Sequence, residues 1–102
     1  MTSADYVRHA VSQEDLLYQL AEESAELSQA ALKLARKLKG TNPTPKTLSE
    51  CKTALIEEVA DVELCMLLCG LLDGVNELRE LAIIRAKADR WVERLRKENR
   101  HV

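Results

Sequence analysis

Two acidic stretches hold the side chains best suited to chemistry, EESAE at 22–26 and EEVAD at 57–61. Each places one acid three residues before another, Glu23 before Glu26 and Glu58 before Asp61. Residues three apart share a helix face, so each stretch presents a pair of carboxylates in one direction. The second stretch lies inside LIEEVADVELCMLL (55–68), which is otherwise apolar enough to be core. Around it, Cys51, Leu55, Val62, Cys65 and Cys69 recur as an apolar seam. At about 100° per residue, Glu58 points into the middle of that seam, Asp61 roughly 60° to its side and Glu57 about 100° away on the same flank. In the first stretch, Glu23 falls about 60° from the seam centre and Glu26 about 120°, while Glu22 turns further toward solvent.

A buried carboxylate without a partner is costly enough that it protonates or finds one. Two readings follow. Glu-rich helices commonly present a solvated acidic face, and either stretch alone fits that description. Taken together, the matching phase of the two pairs and the inward direction of Glu58 fit a site shared between facing helices. A hard divalent cation would relieve the repulsion there, and an all-oxygen donor set suits Mg²⁺, with Mn²⁺ as an alternative. No His lies near either stretch, which argues against zinc and against a di-iron site of the ExxH type.

The elements that must position these acids are helical. The chain has 102 residues, most naturally one domain spanning 1–102. Apolar residues make up 46% and charged residues 31%, a soluble globular balance. Aromatics are only 3%, with no Phe, so the core draws on Leu, Ala, Val and Ile, which suits packed helices better than a sheet. Residues 1–12 are weakly patterned, with a short helix expected over Ala4–Val11. From Ser12 and Asp15, which resemble a capping-box start, a long helix is expected with Leu17, Leu20, Ser24, Leu27, Ala31, Leu34 and Leu38 as its seam. Gly40 is a plausible stop, and GTNPTPKT (40–47) is a connector whose prolines cannot continue a helix. A second long helix follows from Leu48 or Ser49 to Cys69 or Leu72, then a turn at GLLDG (70–74) and a third long helix over Val75–Glu98. The expected fold is all-α, an antiparallel bundle of three long helices plus a short N-terminal one, completed by oligomerisation. Leu64, Leu67, Leu68, Leu71 and Leu72 surround their helix on nearly all sides, more than a three-helix monomer can cover, so a homodimer or homotetramer is expected.

Other classes are disfavoured. A formal net charge of −2 gives no case for binding nucleic acid. The longest apolar run, Leu64–Leu72, is about half the roughly 20 residues a membrane span needs, so no membrane role is expected. No basic start precedes an apolar run, as a signal peptide would require. Cys51, Cys65 and Cys69 are odd in number and lack zinc spacing, consistent with buried thiols in a reducing cytoplasm.

The two motifs in this order, EESAE then EEVAD, resemble the EExxE…EExxD signature of the MazG-like all-α nucleoside triphosphate pyrophosphohydrolases. EESAELSQAALKL and LIEEVADVELCMLL look like that family's two metal-binding helices, and KADRWVERL (87–95) is similar to the ending of its shorter members. The likeness runs from about Glu14 to Leu95. It implies Glu23, Glu26, Glu58 and Asp61 as Mg²⁺ ligands. It also implies hydrolysis of a nucleotide between its α- and β-phosphates, giving the monophosphate and pyrophosphate. Glu22 and Glu57 fall at the leading acid of each motif, where one of them would orient a ligand or activate the attacking water. Residues 27–57 separate Glu26 from Glu58, a separation toward the long side for the pattern.

Such chemistry also needs cations for the outer phosphates. Lys87, Arg90 and Arg94 fall within roughly 60° on the last helix and suit that task, arginine forking onto phosphate oxygens. Lys46 in the connector is a further candidate. Aromatic or polar partners for a base are few: Trp91, Tyr6 and Tyr18, with His9 and Asn42. Two other readings fit the same sequence. One is a non-catalytic helical oligomerisation or interaction module. The other is a specialised relative such as a phosphoribosyl-ATP pyrophosphohydrolase.

Overall fold

The computed structural model of the chain describes residues 1–41 and 45–99. Residues 42–44 of the expected connector, Asn42 among them, lie outside the described residues. The fold is all-α, and the described residues form four helices: α1 (Ser3–Ala10), α2 (Gln13–Lys39), α3 (Leu48–Leu68) and α4 (Gly74–Glu98). Contacts divide the chain into one unit over Met1–Gly70 and a second from Leu71 onward.

Local chemistry fixes the ends of each helix. Thr2 and Asp5 form a reciprocal capping box at α1, the Asp5 N–H donating to Thr2 Oγ1 at 3.1 Å and the Thr2 N–H to Asp5 Oδ2 at 3.0 Å. Ser12 caps α2 by accepting from the Asp15 N–H at 3.1 Å. α2 stops where Gly40 takes φ 71°, a left-handed conformation that favours glycine, and the Thr41 N–H turns back onto the Arg36 carbonyl. Thr47 and Glu50 repeat the capping box at α3. The amide N–H of Thr47 and the Oγ1 of the same residue both hold down the Glu50 carboxylate, keeping its pKa below the ordinary range. Asp73 caps α4 through the Asn76 N–H at 2.9 Å.

In the first unit α2 and α3 pair antiparallel. Leu16, near the start of α2, clusters with Leu68 and Cys69 at the end of α3. Further along, Ala30 of α2 and Cys51 of α3 line the same cleft. α1 closes the first of these ends: Ala4, Val7 and Val11 pack on the Leu16 cluster, and Arg8 donates to the Leu67 carbonyl at 2.8 Å.

The α3 seam has the expected phase, with Cys51, Cys65 and Cys69 buried and Leu55, Glu58 and Val62 half-buried. All three cysteines are free thiols. The α2 seam differs from expectation. Leu16 is 5% exposed and Ala30 is buried, whereas Leu17 is 47% exposed and Ala31 and Leu38 face solvent. Strict alternation of three and four residues assumes 3.5 residues per turn, and a straight helix drifts from that by about 20° per heptad. Measured from Leu27, Leu16 points only about 20° away and Leu17 about 80° away, so Leu16 is the residue turned inward. The same rotation carries Glu23 to about 40° from Leu27, closer to α3 than expected.

In the second unit, α4 has no buried residue, and Leu78, Leu81, Val92 and Leu95 are exposed. Among the described residues, no helix is long and apolar enough to cross a membrane.

Candidate metal centre

The antiparallel pairing brings the acids of α2 to those of α3. Glu23, Glu26 and Glu58 each offer a carboxylate oxygen, and these oxygens lie within 4.8 Å of one another. Glu23 and Glu58 are half-buried and Glu26 is exposed, so the trio lies at the rim of the helix interface rather than in its centre. Gln19, one turn before Glu23, donates its Nε2 to Glu23 Oε1 at 2.9 Å. The other Glu23 oxygen, Oε2, is buried without a hydrogen-bond partner, and so is Glu58 Oε2.

Burial pushes the Glu23 carboxyl above its ordinary pKa, against the opposing hydrogen bond from Gln19. The charges of Glu26 and Asp61 push in the same direction as burial. Burial likewise raises the Cys65 thiol, with the charges of Glu23, Cys69 and Asp61 adding to it. Asp61 is exposed and stands outside the trio, yet near enough for its charge to act on both groups.

Three like charges with two orphaned oxygens form an arrangement that a cation would complete. Around an octahedral ion with oxygens at about 2.1 Å, adjacent ligands lie about 3 Å apart and opposite ones about 4 Å, so oxygens within 4.8 Å of one another need only small side-chain shifts to share one ion. The donors are all carboxylates, which suits Mg²⁺ or Mn²⁺ and not a soft metal. The trio therefore fits such an ion, with Asp61 next to it.

A cleft of about 360 Å³ opens beside the trio between α2 and α3, within the usual range for ligand pockets. Ala30, Cys51 and Ala54 line it, and Glu26 and Glu58 reach it from the trio. Gln29, Lys33 and Lys46 supply its remaining polar groups. Gln19, Gln29 and Lys33 join the acids only in the folded structure. Their signal lay in helical spacing, since Gln19 precedes Glu23 by four residues and Gln29 and Lys33 follow Glu26 by three and seven.

The remaining expected residues are placed as follows. Glu22 and Glu57 are exposed and outside the trio, Glu57 lining a shallow hollow with Lys46 and Glu50. Lys87, Arg90 and Arg94 lie exposed on α4, in the second unit, beside Trp91. Tyr6, Tyr18 and Trp91 are all exposed, and none of them lines the cleft. Comparison of the chain with models of known protein families, with curated proteins and with solved structures finds no match.

Proposed function

We propose that this chain is a Mg²⁺-dependent nucleotide pyrophosphohydrolase that converts a nucleoside triphosphate and water into the monophosphate and pyrophosphate. One observation carries the reading. Glu23, Glu26 and Glu58 converge from two helices, and two of their buried oxygens have no hydrogen-bond partner. These side chains interrupt the pairing face of α2 and α3, where apolar residues would stabilise the fold better. The order and spacing of EESAE and EEVAD add the resemblance to the MazG-like family.

Glu23, Glu26 and Glu58, with Asp61, would hold the ion. Mg²⁺ bound there would neutralise phosphate charge, polarise the α-phosphorus and lower the pKa of a coordinated water. Gln19 holds Oε1 of Glu23 and would leave its Oε2 available to the ion. Glu22 and Glu57 are the candidates for taking the proton of the attacking water, and Lys87, Arg90 and Arg94 are among the candidates for contacts to the outer phosphates, although none of the three lines the cleft beside the trio. The reading includes a homodimer or homotetramer, supported by the exposed Leu64 and Leu67 of α3 and the exposed apolar side chains of α4. Sedimentation should then give at least twice the chain mass of 11.5 kDa, and a stable monomer at micromolar concentration would count against it.

Pyrophosphate release from a panel of common and damaged nucleoside triphosphates, with and without Mg²⁺, tests the reading. Release that needs Mg²⁺ and disappears in Glu58→Gln is expected. Silence across the panel from folded protein would remove the enzymatic reading. It would favour a non-catalytic interaction module, to which the exposed apolar side chains of α4 also point.

A further inference from the structure

The cleft beside the acid trio carries charge of both signs, and their order along α2 is informative. Glu26, Gln29, Ala30 and Lys33 follow one another on the face of α2 that lines it. Lys33 stands about 10 Å along the helix axis from Glu26, two turns away from the acids. The antiparallel α3 runs beside it from Glu58 through Ala54 to Cys51, so small side chains flank the passage from acids to lysine. Lys46 reaches the same space from just before α3. Among the described residues Lys33 makes no ion pair. An ion seated on the trio would draw phosphate to one end of the cleft, and ammonium groups would meet negative charge further along it.

We infer that the cleft between α2 and α3 binds the terminal diphosphate of the substrate, with Lys33 and Lys46 as its cationic contacts and the Gln29 amide as a further donor. This rests on the pyrophosphohydrolase reading for its substrate class. It also gives the cleft a preference. A triphosphate spans both the acid end and the lysine end, a diphosphate reaches the lysines less completely, and a monophosphate does not reach them. Pyrophosphate, as the leaving group, remains held by the lysines after the bond breaks and so inhibits as a product. The lysine ammonium is a compact point charge on a flexible stem, suited to phosphate oxygens without a fixed fork geometry.

Calorimetric titration of the full chain with inorganic pyrophosphate in Mg²⁺, and separately with an α,β-methylene nucleoside triphosphate, tests this without relying on turnover. Both ligands are expected to bind the wild-type protein. Lys33→Ala and Lys46→Ala should each weaken binding about 10-fold, the scale of one lost charge-assisted hydrogen bond. Lys39→Ala, an exposed lysine of the same helix outside the cleft, should bind like wild type. In turnover, Lys33→Ala should raise KM about 10-fold with little change in kcat, while the Mg²⁺-induced rise in Tm stays as in wild type. Unchanged pyrophosphate affinity in both cleft variants, or no pyrophosphate binding by wild type, would overturn the assignment. Turnover with lysine-insensitive binding would refute the cleft and leave the hydrolase reading standing. Lysine-dependent binding without turnover would do the reverse.

Discussion

Glu58→Gln should reverse its effect on stability when Mg²⁺ is added. Without the ion, the substitution removes one of three carboxylates gathered within 4.8 Å and leaves a neutral amide of the same shape. It relieves repulsion and offers a donor to its acidic neighbours, so the variant should melt at or above the wild-type temperature. With the ion, the ranking should invert. At a Mg²⁺ concentration about 100 times Kd, binding to the folded state alone stabilises wild type by about 2.7 kcal/mol. With an unfolding entropy of about 2.1 cal/mol/K per residue, a chain of this size gains about 13 °C in Tm. Loss of a charged ligand that weakens affinity 10- to 100-fold leaves about 0.4–1.4 kcal/mol at the same concentration, or about 2–7 °C. Thermal melts of both proteins over a Mg²⁺ series, followed by far-UV circular dichroism, read this directly. Equal gains in the two proteins, or no gain in wild type, would refute the argument that these carboxylates share an ion.

Three further outcomes follow from the same structure. Because the folded-state pKa of Glu23 is raised, its proton is held more tightly folded than unfolded, so its contribution to stability is present below its ordinary 4.5 and is lost as pH rises through the folded value. In metal-free protein the stability difference between Glu23→Gln and wild type should therefore grow in favour of the variant as pH climbs above 4.5, as denaturant melts at several pH values would show. Leu16→Ala empties part of the cluster with Leu68 and Cys69 and should cost about 2–3 kcal/mol, whereas Leu17→Ala should cost less than about 1 kcal/mol; equal losses in urea titration would contradict the seam described for α2. Ala54→Leu puts apolar volume into the 360 Å³ cleft and should raise Tm by several degrees, from about 1 kcal/mol of added burial, while abolishing calorimetric binding of Mg²⁺–pyrophosphate.

Much of the fold was legible because its signals are local. Ser12, Gly40, Thr47 and the 70–74 turn bound the helices through caps and backbone conformation, which depend on a few adjacent residues. α1 and α4 each begin one residue earlier than expected, set by the side chains of Thr2 and Asp73. The direction of Glu58 was legible for the same reason, since Cys51, Leu55 and Val62 fix the phase of α3 around it. The α2 seam departs from expectation at Leu17 because a 3.5-residue repeat drifts out of phase along a straight helix. Leu38 is in phase, about 20° from Leu27, and is exposed by position: Ala30 and Cys51 line the same cleft, so Leu38 lies beyond the level at which α3 begins. The cleft itself was not legible. It arises from Ala30 facing Cys51 and Ala54 across two helices, a pairing that no spacing within one helix encodes.

The acid trio and the cleft are two consequences of one choice along the α2–α3 interface. Helix pairs gain stability by filling their shared face with interlocking apolar side chains. Here the level of Leu16 and Leu68 does so, and α1 covers it. Two to three turns further along, the same face carries Glu23 and Glu58, and beyond them Ala30, Cys51 and Ala54, too small to fill the space between the helices. Leucine at those positions would stabilise the pair more, so the interface departs from the packing optimum over one continuous stretch. Departures of that kind are expected where a protein must hold something other than itself. The well-packed end with its α1 cover, together with the capping box at Thr47, offsets the weak stretch and keeps the two helices in register. The acids can then meet across the interface without the interface closing over them.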